Sequence, residues 1–449
     1  MSDESELAAG LARVLQRAGL PEPERLSRLT GGATMESWLF SCGERQYVLR
    51  RAPSLSMMVD RPFGHAAEAA IIRAARASGV TAPEVVAELE PEDGIGSGFV
   101  MHALPGTPSP KEILAMDRPG RLLAEVAQDL ARIHAIRPDE LPTDVPEMDY
   151  REAVGDLRQQ FDEAGGDRPI IALGLKWLAD NLPGTIAPVL VHGDYRLGNI
   201  LVDNSRLTGV LDWELAHFGD FHEDLAFGCM TVWRFARPDR PALGLGTLDD
   251  YFAAYEAESG RIVDRGRFRY WLVYRTVWWA LGCLNMAKIW REGQDRMLER
   301  VVISRRTSEQ ELDLLMLLEE DAPEQECLRP LPQPEKRPDR SGEAGDGEIA
   351  LAVSEWLAAI KDKVSGHDRF QLAVARNALG IIARAEDAMT ANRDADWADL
   401  SREILAGSKS LATPELLATL RFHALEKLGA DVPKYPALAA ARHKWLGEN

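Results

Sequence analysis

The spacing of apolar positions changes character along the chain. Residues 3–19 repeat apolar side chains at three- and four-residue intervals up to Gly19, which predicts a short amphipathic helix. Short apolar runs at 25–30, 36–42 and 46–50 predict strands, with Gly31-Gly32 between the first two. The alanine-rich stretch 65–78, closed by Gly79, predicts a helix, and 84–89 and 98–103 predict two more strands joined by a glycine-rich turn. Beyond Pro110 helical periodicity takes over, at 120–136, 150–161, 169–181, 248–258, 267–289 and 296–318. One stretch interrupts it. Val189-Leu190-Val191, Ile200-Leu201-Val202 and Val210-Leu211 are short apolar runs broken by turn residues, the pattern of buried strands.

These elements predict an α+β chain. Residues 1–104 would form a small β-rich lobe and 105–320 a larger helical lobe. Prolines 323, 330, 332, 334 and 338 mark 321–347 as a linker, because proline lacks a backbone donor and disfavours helix before it. Residues 348–449 are again helical and would form a separate all-α domain with no motif that assigns it a role.

Composition narrows the class. A chain of 449 residues, 45% hydrophobic and 27% charged, can bury a sizeable core. Its net charge of -19 opposes general binding to nucleic acid or to an anionic membrane. Cys42, Cys229, Cys283 and Cys327 are scattered, so free thiols in a reducing cytoplasm are expected rather than a disulfide framework or a zinc site. The acidic N-terminus lacks the basic region of a signal peptide, and no apolar run is as long as a membrane span.

The chemistry concentrates between Val189 and Glu214. His192-Gly193-Asp194 follows the first buried strand, Asn199 comes five residues later, and Asp212 thirteen after that. Two carboxylates and an amide at the ends of short strands suit metal-assisted phosphoryl transfer. One carboxylate orients a hydroxyl, while the amide oxygen and the second carboxylate hold magnesium against a triphosphate.

The pattern HGDxxxxN, followed by an apolar strand and Asp, resembles the aminoglycoside phosphotransferase and choline kinase family, a branch of the protein-kinase-like fold. With Trp213-Glu214-Leu215-Ala216-His217-Phe218-Gly219-Asp220 and Glu223-Asp224-Leu225-Ala226, it is most similar to the kinase-like domains joined to acyl-CoA dehydrogenases. The resemblance covers roughly residues 20–320 and implies two lobes, ATP as donor and Mg2+ as cofactor. It makes Asp194 the catalytic carboxylate, with Arg196 close enough to offset charge on the transferring phosphoryl group. Asn199 and Asp212 become magnesium ligands. Gly31 and Gly32 would admit the nucleotide phosphates, and His102 and Leu104 would offer backbone groups to adenine. Arg50 stands where most such folds have lysine, with Glu68 as its partner, so a planar fork replaces a point donor.

His192 and Asp224 are expected to support the catalytic loop, and His134 to be a packed structural histidine. Asp220 could touch either loop or metal, and His217 and His222 lack a third ligand for zinc. On the stretch 267–289, Arg269, Arg275 and Lys288 without intervening acids tilt the acceptor away from polycationic amino sugars. The expected activity is an ATP- and Mg-dependent small-molecule kinase acting on a hydroxyl, with a hydroxyacyl-CoA or hydroxy acid as the candidate acceptor. The alternatives are an aminoglycoside, choline or other amino-alcohol kinase, and a nucleotide-binding scaffold that has lost catalysis. A homodimer or an acyl-CoA dehydrogenase-type enzyme are the candidate macromolecular partners.

Overall fold

The structure is a computed structural model that describes residues 3–29, 35–58, 61–333, 341–388 and 396–448. It separates into two compact units. The first contains residues 1–149 and 184–268, and the second 150–183 and 269–449.

The first unit opens with α1 (Asp3–Arg17), then β1 (Glu24–Arg28), β2 (Glu36–Cys42), β3 (Arg45–Ala52), α2 (His65–Ala77), β4 (Val85–Glu88) and β5 (Ser97–His102). The five strands form one antiparallel sheet in the order β1-β2-β3-β5-β4. Strand alternation decides which side chains serve the core. Tyr47 and Leu49 of β3 join Leu7, Leu11, Val14 and Leu15 of α1 in one buried cluster with Phe40 and Val100. Arg50, one residue on, projects from the opposite face, where α2 supplies Glu68 from its buried side.

The chain leaves β5 through a short connector that pairs with a later strand. Thr107 and Val202 exchange backbone hydrogen bonds of 3.0 and 3.1 Å. Gly106 sits at φ +112°, and a Cβ there would lie 2.8 Å from the Val202 carbonyl, so the close approach requires glycine. Then come α3 (Pro110–Leu114) and α4 (Pro119–Ile133), followed by α5 (Tyr150–Glu163) and α6 (Pro169–Asp180), which belong to the second unit. The first unit resumes with β6 (Val189–Val191), β7 (Ile200–Asp203), β8 (Arg206–Val210) and β9 (His217–Gly219), then α7 (Phe221–Phe227) and α8 (Leu248–Ser259). β6 pairs with β9, and β7 with β8 across Asn204-Ser205, both at positive φ as a two-residue primed turn demands.

The second unit is helical. It takes α5, α6, α9 (Arg265–Arg291) from Arg269 onward, and the C-terminal helices. The single helix expected over 296–318 is two, Leu298–Ser304 and Thr307–Leu318. At the break, Ser304 and Thr307 hydroxyls donate to the carbonyls of Val301 (2.7 Å) and Ser304 (3.0 Å), a local competition that periodicity does not reveal. Thr307–Leu318 buries polar side chains as well as leucines: Arg168 meets Glu311 (2.8 Å) and Tyr435 donates to Asp313 (2.6 Å). Arg421 donates to Glu319 at 2.9 Å and to the Cys327 carbonyl at 2.9 Å, so the start of the proline-rich stretch is folded against the helix Leu416–Asp431. Residues 334–340 of that stretch lie outside the described residues. All four cysteines are free thiols. Among the described residues, no helix is long and apolar enough to cross a membrane.

Candidate active site

Asp194 follows β6 through a turn that only glycine permits. Gly193 is at φ +82°, and a Cβ would approach the Leu215 carbonyl oxygen to 2.4 Å. The turn is tied from below. The Asp224 carboxylate accepts from the backbone N–H of His192 (2.6 Å) and of Gly193 (2.9 Å), and it pairs with His134 Nε2 at 3.1 Å. Burial alone would raise the Asp224 carboxyl, but His134 and these N–H donors hold it below its usual range. His134 bonds Tyr255 through Nδ1 at 2.8 Å. His192 accepts from the Asp194 N–H at Nδ1 (3.2 Å), which leaves Nε2–H to donate to the Leu211 carbonyl (3.1 Å). Burial keeps this imidazole neutral.

Asp194 is held on two sides. Arg196 Nε donates to Oδ1 at 2.7 Å, and Asn199 Nδ2 donates to Oδ2 at 2.6 Å and to the Asp194 carbonyl at 3.0 Å. Arg196 is itself braced over the Trp233 ring at 4.2 Å. Burial, reinforced by nearby Asp212, pushes the Asp194 carboxyl up to about 6 against the pull of Arg196. Because Asn199 turns its amide nitrogen to Asp194, its amide oxygen is not the atom that bonds Asp194.

Asp212 stands just past β8 at φ +68°, a conformation that a non-glycine residue adopts at a cost. Its carboxylate receives Arg50 NH2 at 2.8 Å. The same nitrogen reaches Glu214 at 2.7 Å, and Arg50 Nε lies 3.0 Å from Glu68. Burial works against the Arg50 charge, yet Glu68, Asp212 and Glu214 together hold it protonated, above its ordinary value. Burial pushes Glu68 the other way, up to about 7, opposed by Arg50. Arg61 meets the far oxygen of Glu214 at 2.9 Å.

The structure thus brings Asp194, Arg196 and Asn199 together, and joins Arg50 to Glu68 and Asp212. Gly31 and Gly32 lie outside the described residues. His102 ends β5 with its N–H committed to the Glu84 carbonyl (2.9 Å), so that donor is unavailable to adenine. Asp220 caps α7 and pairs with Arg267 (2.9 Å) and His222 (2.7 Å), while His217 meets Glu223 at 3.1 Å, so these side chains serve packing. The basic residues of α9 lose much of their bearing on the acceptor. Arg269 pairs with Asp321 at 3.0 Å, Lys288 with Glu163 at 3.2 Å, and Arg275 packs on the Trp278 ring at 5.0 Å.

Glu214, Arg61 and Trp233 carry parts of the site that the sequence reading assigned no role. Glu214 is an acidic residue only two positions past Asp212, but the left-handed backbone at Asp212 breaks any strand pattern that could have aimed it. Arg61 and Trp233 gave no signal, because their partners are remote in sequence.

Among the described residues, no cluster of three or more His, Cys, Asp or Glu side chains is arranged to hold a metal by itself. The hard oxygens of Asn199 and Asp212 fit magnesium, which keeps few protein ligands and completes its shell with phosphate and water.

Comparison with known proteins gives these residues a setting. Residues 25–261 match the model of the phosphotransferase enzyme family. The chain is 28% identical over 259 residues to mouse acyl-CoA dehydrogenase family member 10, covering 53% of this chain and 24% of that protein. It is 26% identical over 228 residues to mouse acyl-CoA dehydrogenase family member 11, covering 45% of this chain and 27% of that protein. The chain therefore spans about a quarter of the length of these curated relatives. A solved structure from Ralstonia eutropha, described as a putative aminoglycoside phosphotransferase, shares the fold. Its TM-score is 0.57 at 20% identity, over 71% of this chain and 98% of that one. With over half of its residues matched by the family model, this chain has the two-part kinase-like architecture and belongs to the phosphotransferase enzyme family.

Proposed function

We propose that the first unit is the catalytic part of an ATP- and Mg-dependent kinase that phosphorylates a hydroxyl of a small molecule. The observation that carries this reading is a pair of neighbouring networks drawn from three segments: Asp194 bonds Asn199 and Arg196 in the loop after β6, and Arg50 of β3 bonds Asp212 past β8, close enough to help raise the Asp194 carboxyl. In this reading Asp194 accepts the hydroxyl proton as the acceptor oxygen bonds the γ-phosphorus, and the bond to the bridging oxygen breaks to release ADP. Arg196 and Asn199 fix the carboxylate so that little reorganisation is needed. Asn199 and Asp212 would hold magnesium, which supplies charge neutralisation of the phosphates. Arg50, anchored by Glu68, would then turn its fork from Asp212 to the phosphates. The His102 carbonyl and the Leu104 N–H are the backbone groups proposed for adenine.

A hydroxyacyl thioester or hydroxy acid is the acceptor class proposed. Its support is the likeness to proteins named for acyl-CoA dehydrogenase, which also makes such an enzyme a proposed functional partner. The test is ATP consumption, with Mg2+, across hydroxyacyl thioesters, free hydroxy acids, choline and amino sugars. Turnover of the thioesters or hydroxy acids is expected; turnover of amino sugars or choline alone would defeat the acceptor assignment. One observation favours a second reading, a nucleotide-binding scaffold without transfer: Arg50 occupies Asp212 directly. Tight nucleotide binding with no turnover of any acceptor would select it.

A further inference from the structure

Within the second unit, the helix Asp346–Ala359 packs with small side chains and exposes large ones. Gly347, Ala350 and Ser354 are its buried residues, and they face the neighbouring helix Gly366–Ala388. Ile349, Val353 and Trp356 are 54%, 42% and 63% exposed. With Ile360, half-buried just past the helix end, they follow the spacing i, i+4, i+7, i+11. At about 100° per residue these four fall within an arc of roughly 60°, well away from the buried small residues. A stripe of this kind is the seam of a helix that meets a second helix. The charges around it are polarised: Asp346 and Glu348 open the helix, while Lys361 and Lys363 follow its end, all four exposed.

We propose that this stripe is covered by the same stripe of a second copy of the chain, paired antiparallel about a two-fold axis between Ser354 and Glu355. That register sets Val353 against Trp356 and Ile349 against Ile360, so each residue of the stripe meets another of the stripe. It also lays the acidic start of each helix beside the lysine-bearing end of its mate. Self-complementarity of this sort is what a two-fold interface requires. A parallel pairing would set acid on acid and lysine on lysine, which like-charge repulsion disfavours.

The test uses the full chain. Light scattering or sedimentation equilibrium is expected to give about twice the chain mass of 49.7 kDa at micromolar concentration. Trp356→Glu should weaken the dimer by about 100-fold, since a carboxylate would be buried at the seam centre. Its thermal unfolding should remain that of the wild type when both are compared as monomers at low concentration, because Trp356 is largely exposed within one chain. Asp346→Lys and Lys363→Asp should each weaken the dimer about tenfold, and the two together in one chain should restore it, because the register sets 346 against 363. A monomeric wild-type chain would overturn the proposal and leave the stripe to a different protein. So would a Trp356→Glu dimer as tight as the wild type, or a double reversal without rescue.

Discussion

Asp194 combines two demands that usually conflict. As the proposed base it would have to stay ionised to accept a proton, yet it is buried enough for its carboxyl to be pushed up to about 6. The sign of the consequence is fixed: the competent base is the ionised form, present above that value and lost as pH falls through it. We therefore expect kcat/KM to fall on the acid side with a midpoint near about 6. A profile flat down to pH 4.5 would remove Asp194 from the role of base. Asp194→Asn keeps the shape and removes the basicity; kcat should drop by about a hundredfold to ten-thousandfold while calorimetry finds nucleotide affinity little changed. Asp224 makes the contrasting case, a carboxylate that touches no reactant but bonds two N–H groups of the catalytic turn. Asp224→Ala leaves those buried donors and His134 without their acceptor. We expect a loss of about 3–5 kcal/mol in denaturant unfolding, the scale of a broken buried charged pair.

At the scale of elements, the site is built from strand ends, and that made part of it legible. Asp194, Asn199 and Asp212 lie in one short stretch with strands between them, so local pattern was enough to place them near one another. Arg50 could be paired with Glu68 through the resemblance to the kinase-like fold, with β3 and α2 in the expected order. The attachment of Arg50 to Glu214 could not, because it joins positions 164 apart and depends on how β3 meets the end of β8. The helix Thr307–Leu318 was legible as a helix and illegible in its burial. Glu309, Gln310, Glu311 and Asp313 are all buried, which periodicity does not reveal, since Arg168 and Tyr435 reach two of them from distant segments. The catalytic turn carries a test at this scale. Gly193→Ala places a methyl against the Leu215 carbonyl and strains a left-handed backbone. Activity should fall far more than stability, about 1–3 kcal/mol being the usual size of such strain. Wild-type kcat in that variant would show that the turn geometry is not limiting.

At the scale of the whole molecule, the C-terminal helices are part of the second unit's interior. Glu319 is buried and receives both Arg421 and Trp445, and Asp313 receives Tyr435. Arg421→Ala should therefore destabilise, by less than the about 3–5 kcal/mol of a fully stranded buried charge, because Lys444 and Trp445 remain on Glu319. If thermal unfolding showed that variant as stable as the wild type, the helix Leu416–Asp431 would be an ornament on the second unit. The proposed dimer would use the opposite kind of surface, the exposed stripe of Asp346–Ala359, so the two tests address separate parts of the same region.

The ion pair between Arg50 and Asp212 has a consequence for order of events. A guanidinium tethered 2.8 Å from the carboxylate acts as an intramolecular rival to any incoming cation. In the proposed reading, free magnesium would have to displace that tethered charge, leaving it Glu68 and Glu214 alone as partners. Magnesium arriving with a triphosphate gives the displaced guanidinium somewhere to go. On that proposal the protein would favour the loaded nucleotide over the bare ion, a discrimination resting on one side chain's exchange of a carboxylate for a phosphate.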